Sequence, residues 1–369
     1  MMVKNIVLYI FLFVATTFAL EIPDIISFKR PQTVQHKYVV ESDLPLAEQT
    51  HEIIMIPHTN IVLISQMSSS VLVKAKVNKN GVIQTLSTFQ IGKNNTSGLH
   101  GLANSQQYPG KVWVTVEKEN KLLLIDPKPF VVSAKPTILK TILVPGKDAN
   151  GPHYIGEYGD DLWVSLKGSF DVLRVNHHRP SDYNIYHGLA HPIFVAQHPI
   201  NKLFYSSEDD SSHIIKINPK TNKRTQIAIP KNVGTIPVGL ISGPGGIWFT
   251  LLGSKTNGTG TIGFMDENDK FQWFKLKSSP LASSASLLHL AFDVDHAKNH
   301  QLWVLASSII YPEAMDMLIK VTFDDQWKKI LHEDITVIPT QRSKVHRILP
   351  TKSNIFVTEL STSKLFSLY

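Results

Sequence analysis

The chain has 369 residues, 37 of them lysine or arginine against 30 acidic, and no cysteine. The net charge of +7 is scattered; with no basic helix and no arginine-rich run, it argues against a nucleic-acid partner. The length suits one large β domain or two smaller ones, and the fold must close without disulfides.

Residues 1–19 read as a signal peptide. Lys4 supplies the positive start, residues 6–15 the apolar run, and Thr17-Phe18-Ala19 a small-x-small cleavage site. The run is too short to span a bilayer comfortably, so the mature protein is expected to be secreted and free of the membrane. The sequons at Asn94, Asn95 and Asn257 fit glycosylated surface loops. Residues 20–35 match no repeat and are expected to form a lead-in segment.

From residue 36 onward one unit recurs seven times. Its clearest copy is Gly151-Pro152-His153-Tyr154-Ile155, a turn, then Asp161-Leu162-Trp163-Val164-Ser165. The second strand of the unit recurs around Val62, Trp113, Trp163, Phe204, Trp248, Trp303 and Phe356. A third strand follows each, at 71–77, 121–126, 171–176, 213–218, 261–266, 317–323 and 364–369. Most of these end at polar turns such as Asn218-Pro219-Lys220-Thr221-Asn222. A fourth strand follows in six units, at 82–91, 137–145, 183–189, 224–230, 271–277 and 329–339.

The seventh unit lacks its fourth strand. Residues 36–45 (His-Lys-Tyr-Val-Val-Glu-Ser-Asp-Leu-Pro) have that strand's length and pattern. The sequence therefore predicts an all-β, seven-bladed β-propeller over 36–369, its last blade closed by an N-terminal strand. Closure leaves no exposed sheet edge.

The first strand of each blade lines the central channel. The residue at its start is His51, His100, His153, Ile193, Val238, His289 or His346. A ring of imidazoles can bind a divalent metal or move protons near neutral pH. It can equally be an inherited residue that hydrogen-bonds the neighbouring blade. Glu117 and Glu359 each end a second strand, and both are expected to point across the mouth, beside His100 and His346 respectively.

The phrases Gly151-Pro152-His153-Tyr154-Ile155, Ile236-Pro237-Val238-Gly239-Leu240, Gly246-Ile247-Trp248-Phe249-Thr250 and Thr261-Ile262-Gly263-Phe264 resemble the repeat of the virginiamycin B lyase (streptogramin lyase) family. Leu99-His100-Gly101-Leu102 and Tyr108-Pro109-Gly110-Lys111-Val112-Trp113 look like a secreted fungal branch of it. The resemblance implies a magnesium-dependent elimination that opens an ester of a cyclic depsipeptide. A base removes the proton alpha to the carbonyl that the metal polarises.

Carried over by position, the resemblance implies His289 and Glu359 as metal ligands and His346 as general base, with Glu359 at the same site. Lys344 stands where the family has a further glutamate. A second fit uses His51, His100 and Glu117, with Gly98 at the missing acid.

Two readings follow. One is a secreted, monomeric lyase acting at the channel mouth on a small molecule or peptide. The other is a non-catalytic propeller that binds such a ligand or a protein, with Lys344 pairing Glu359.

Overall fold

The computed structural model describes residues 33–36 and 38–369. Each of the seven repeats is an antiparallel sheet, and together they form a seven-bladed β-propeller. From the axis outward, blade one pairs Thr50–Met55, Ile61–Gln66, Val71–Val77 and Ile83–Gln90. Blades two to six begin at Leu99–Asn104, Pro152–Tyr158, Pro192–Gln197, Pro237–Gly243 and Leu287–Phe292, and each has four strands in chain order.

Blade seven comprises Val345–Pro350, Ile355–Glu359 and Lys364–Leu368, then the N-terminal strand Val39–Asp43. Its register runs from Val39 opposite Leu368 to Asp43 opposite Lys364. Thr33–His36 adds a fifth strand outside it, so the expected lead-in ends in paired backbone. The expected signal peptide lies outside the described residues. Among the described residues no helix is long and apolar enough to cross a membrane.

Burial explains the strand patterns. Second strands such as Ile61–Gln66 and Gly246–Leu251 are buried at every position, because a neighbouring blade covers each face. They therefore read as continuous apolar runs. Outer strands such as Thr137–Leu143 are mostly exposed. The core lies between blades: Trp113, Leu122 and Leu124 pack on Ile155, Leu162 and Val164 of the next sheet. Burial of side chains this large contributes roughly 2–3 kcal/mol each. The same packing joins blade seven to blade one through Phe356, Leu365, Ile53 and Ile64.

Two of the repeat centres shift by one residue. Blade one is centred on Leu63 rather than Val62, and blade four on Tyr205 rather than Phe204. A recurring hydroxyl fixes this alignment. Two residues beyond the centre stand Ser65, Thr115, Ser165, Ser207, Thr250 and Thr358; only blade six departs, with Leu305.

Candidate functional site

Every first strand has a register shift at its start: Thr50/Ile53, Leu99/Leu102, Pro152/Ile155, Pro192/Val195, Pro237/Leu240, Leu287/His289 and Val345/Arg347. An irregularity of this kind re-aims side chains and leaves a backbone N–H without its ladder partner. The hydroxyls supply that partner. Glu52, Gly101, Tyr154, Gly239 and Arg347 donate their N–H to Ser65, Thr115, Ser165, Thr250 and Thr358 at 2.7–3.1 Å. Four of these hydroxyls then donate to the channel residue's carbonyl on the next blade: Ser65 to His100 at 2.6 Å, Thr115 to His153 at 3.1 Å, Ser165 to Ile193 at 2.9 Å and Thr358 to His51 at 2.9 Å; Thr250 donates instead to Leu288, the residue before His289. The channel residues are thus set by the sheet behind them and by the blade beside them.

Four histidines meet at the axis. Ring centroids lie 3.8 Å apart for His51 and His100, 3.6 Å for His100 and His153, and 3.8 Å for His51 and His346. The Nε2 atoms of His51 and His100 are 2.9 Å apart. His289 stands apart from this stack. It faces Phe194 at 5.3 Å, and its Nδ1 accepts the N–H of Ile348 at 3.3 Å. Burial above all holds all five imidazoles well below the ordinary histidine range, helped by the positive charge of Arg347. They are neutral at physiological pH.

Arg347 and Glu52 were not singled out from the sequence. Each directly follows a channel histidine, and that adjacency was the available signal. The Arg347 guanidinium lies 4.6 Å over Phe194, 3.0 Å from Glu52 Oε2 and 3.1 Å from His346 Nδ1.

The acidic candidates sit differently from the expectation. Glu117 lies against His153, with Oε2 at 3.4 Å from Nδ1, rather than pairing with His100. Glu359 is fully buried and off the axis; its Oε2 accepts from Thr362 at 2.6 Å, and Glu41 is its close acidic neighbour. Burial pushes its carboxyl up to about 8. The strand alternation gives the reason. Thr358 faces blade one, so Glu359, the next residue, faces the other way.

Lys344 is exposed, and among the described residues no ion pair joins it to Glu359. Its φ of 53° matches the left-handed φ of 76° at Gly98, the corresponding position two blades on. Asn94, Asn95 and Asn257 are exposed.

A cavity of about 320 Å³ opens above the histidines. His51, His153, His346 and Arg347 line it together with the apolar residues Ile193, Val238, Leu252, Leu288, Ile309 and Ile310. Asp209 and Lys167 face it as well. Among the described residues, three groups of histidine and acidic side chains bring ligand atoms within 4.8 Å of one another. They are His51, His100 and His153; Asp160, His177 and His178; and His191, Asp209 and Asp210. Neither His289, His346 nor Glu359 belongs to one of them. Magnesium takes oxygen ligands in near-octahedral array. The axial donors are ring nitrogens, and Glu359 is turned away, so this donor set does not fit magnesium.

No protein-family model matches the chain, and no curated protein is significantly similar to it. Solved structures do match. Virginiamycin B lyase from Staphylococcus aureus, in a catalytically inactive form with quinupristin, superposes with a TM-score of 0.68 at 17% identity, over 89% of this chain and 98% of that one. A streptogramin B lyase gives 0.68 at 17% identity, over 90% and 97%.

The likeness is one of fold. A chain of the mitotic checkpoint complex, at 10% identity, also superposes, with a TM-score of 0.65 over 98% of this chain and 99% of that one. The propeller thus serves unrelated tasks.

Proposed function

We propose that this protein binds a small, largely apolar organic molecule or peptide in the axial cavity and does not break it. The observation that carries the reading is the cavity itself: a polar floor of His51, His153, His346 and Arg347 under apolar walls. Such a composition suits a ligand with an apolar body and a few polar atoms at one end. The acid pair that the lyase resemblance requires is not gathered there, since Lys344 replaces one glutamate and Glu359 bonds Thr362.

The test is a thermal-shift screen of small peptides and depsipeptides, run beside Leu252→Trp, which fills the cavity. A ligand that stabilises the wild type and not the filled variant supports the reading. Stabilisation that persists in Leu252→Trp places binding elsewhere and overturns it.

A second reading, the elimination of a depsipeptide ester, is favoured by one observation. His346 is neutral at the mouth, and a guanidinium that can hold a carbonyl oxygen lies 3.1 Å away. Mass spectrometry after incubation with a streptogramin B-type depsipeptide separates the cases. Elimination linearises the ring at unchanged mass, hydrolysis adds one water, and binding leaves the ring closed. Export after removal of residues 1–19, with glycans on the exposed sequon asparagines, completes the proposal; N-terminal sequencing and a glycosidase mobility shift test it.

A further inference from the structure

We propose that His51, His100 and His153 form a site for one divalent transition-metal ion of the zinc type, with its fourth ligand position open to the axial cavity. This goes beyond ligand binding and does not depend on which molecule fills the cavity.

The three residues occupy the same position at the start of the first strand in three successive blades. Their candidate ligand atoms lie within 4.8 Å of one another. Two of the rings are held in the tautomer that coordination needs. The Nδ1 of His100 lies 2.9 Å from the His153 carbonyl, which can only accept, so the ring proton sits on Nδ1 and Nε2 presents its lone pair. The Nδ1 of His153 lies 3.4 Å from the Glu117 carboxylate, which leaves its Nε2 free in the same way. A carbonyl and a carboxylate behind the ring are the partners that hold metal-binding histidines and raise their basicity.

His51 completes the set. Its Nε2 lies 2.9 Å from the bare Nε2 of His100, so without metal it must donate its proton there. That leaves His51 Nδ1 buried without a hydrogen-bond partner. That nitrogen has no protein partner in either tautomer, so the metal's gain lies at the two Nε2 atoms. When a metal takes both Nε2 lone pairs, the His51 proton moves to Nδ1, and no proton is lost.

Coordination requires the rings to spread. Tetrahedral bonds of about 2.0–2.1 Å hold ligand nitrogens about 3.3 Å apart. The His51 and His100 nitrogens, at 2.9 Å, open by about 0.4 Å, and the ring centroids of His100 with His51 and with His153, at 3.8 and 3.6 Å, must spread to about 5 Å. Burial keeps all three imidazoles neutral, the form that binds metal. Three imidazoles select zinc, cobalt, nickel or copper over magnesium or calcium. His51 and His153 line the axial cavity, so the fourth position faces it, as in zinc sites that keep one ligand position for water or substrate.

The test is titration of tag-free, chelator-stripped protein with Co²⁺, followed by visible absorption, and then displacement by Zn²⁺. The expected result is one equivalent with four-coordinate d–d bands, displaced by zinc and not by millimolar magnesium. His100→Gln and His153→Gln should each weaken binding at least 100-fold. Glu117→Gln should weaken it about 10- to 100-fold. His178→Ala, which disrupts a cluster outside the axial cavity, should leave it unchanged. Absence of cobalt bands in the folded wild type overturns the proposal even if a variant fails to fold. So does binding that survives both axial substitutions, or that is lost in His178→Ala.

Discussion

Arg347 Nε donates to the Glu52 carboxylate at 3.0 Å, across the seam where blade seven meets blade one. Both side chains are largely buried, at 3% and 13% exposure. Removing one partner strands the other charge away from water. Arg347→Met and Glu52→Leu should each cost about 3–5 kcal/mol in urea unfolding. The double variant should cost clearly less than their sum. Additive losses would show that the pair does not couple the seam.

Glu359 predicts an unusual pH dependence. Its folded value near 8 lies above that of an unfolded glutamate. Between about pH 4.5 and 8 the folded state therefore holds a proton that the unfolded state has lost. Its contribution to stability is full below that window and declines as pH rises through it. Glu359→Gln should flatten this slope and raise stability at pH 8–9 by on the order of 2 kcal/mol. Denaturant melts from pH 4.5 to 9 check this; a variant with the wild-type slope would exclude Glu359 as the source.

Lys74 is fully buried, and its ammonium reaches the carbonyls of Pro127, Lys128, Val131 and Ala134 at 2.6–3.2 Å. It ties the loop of blade two onto blade one. Lys74→Met leaves these acceptors without their donor. A loss of about 3 kcal/mol is expected, with new proteolytic cleavage between residues 127 and 134. A protected loop at full stability would count against this role.

The hydroxyl bridges should each contribute measurably. Thr250 accepts the Gly239 N–H and donates to the Leu288 carbonyl, both at 3.1 Å. Thr250→Val keeps the shape and strands both groups, at a cost of about 1–3 kcal/mol. Leu305→Val in blade six, which has no hydroxyl to lose, is the packing control.

The repeat made the fold legible. Third strands at 71–77, 121–126, 171–176, 213–218 and 317–323 coincide with those observed. The centres of blades one and four slipped because Val62 and Leu63, like Phe204 and Tyr205, are both apolar and buried, so no polar alternation marks the register. The hydroxyl two places on marks it.

The histidines were legible by position; the acids were not. Glu359 is the last residue of its strand, three past Phe356, whereas Glu117, four past Trp113, lies beyond its strand's end and opens a 3-10 turn, so the two are not equivalent. Only Glu117 reaches the axis. Arg347 escaped notice because the irregular start of its strand brings two consecutive residues inward, which no period-two reading anticipates.

The strand that closes the ring, with Thr33–His36 paired outside it, is synthesised before the strands of every other blade and is used last. Val39–Asp43 finds its partner only when Lys364–Leu368 emerges, after the rest of the ring. Until then each chain carries one unmatched strand and then one unmatched edge, complementary to each other. Two chains at the same stage can exchange them, the first strand of each sealing the last blade of the other. Crowded refolding should therefore yield interlocked pairs of otherwise native rings, and dilution should favour the self-closed form.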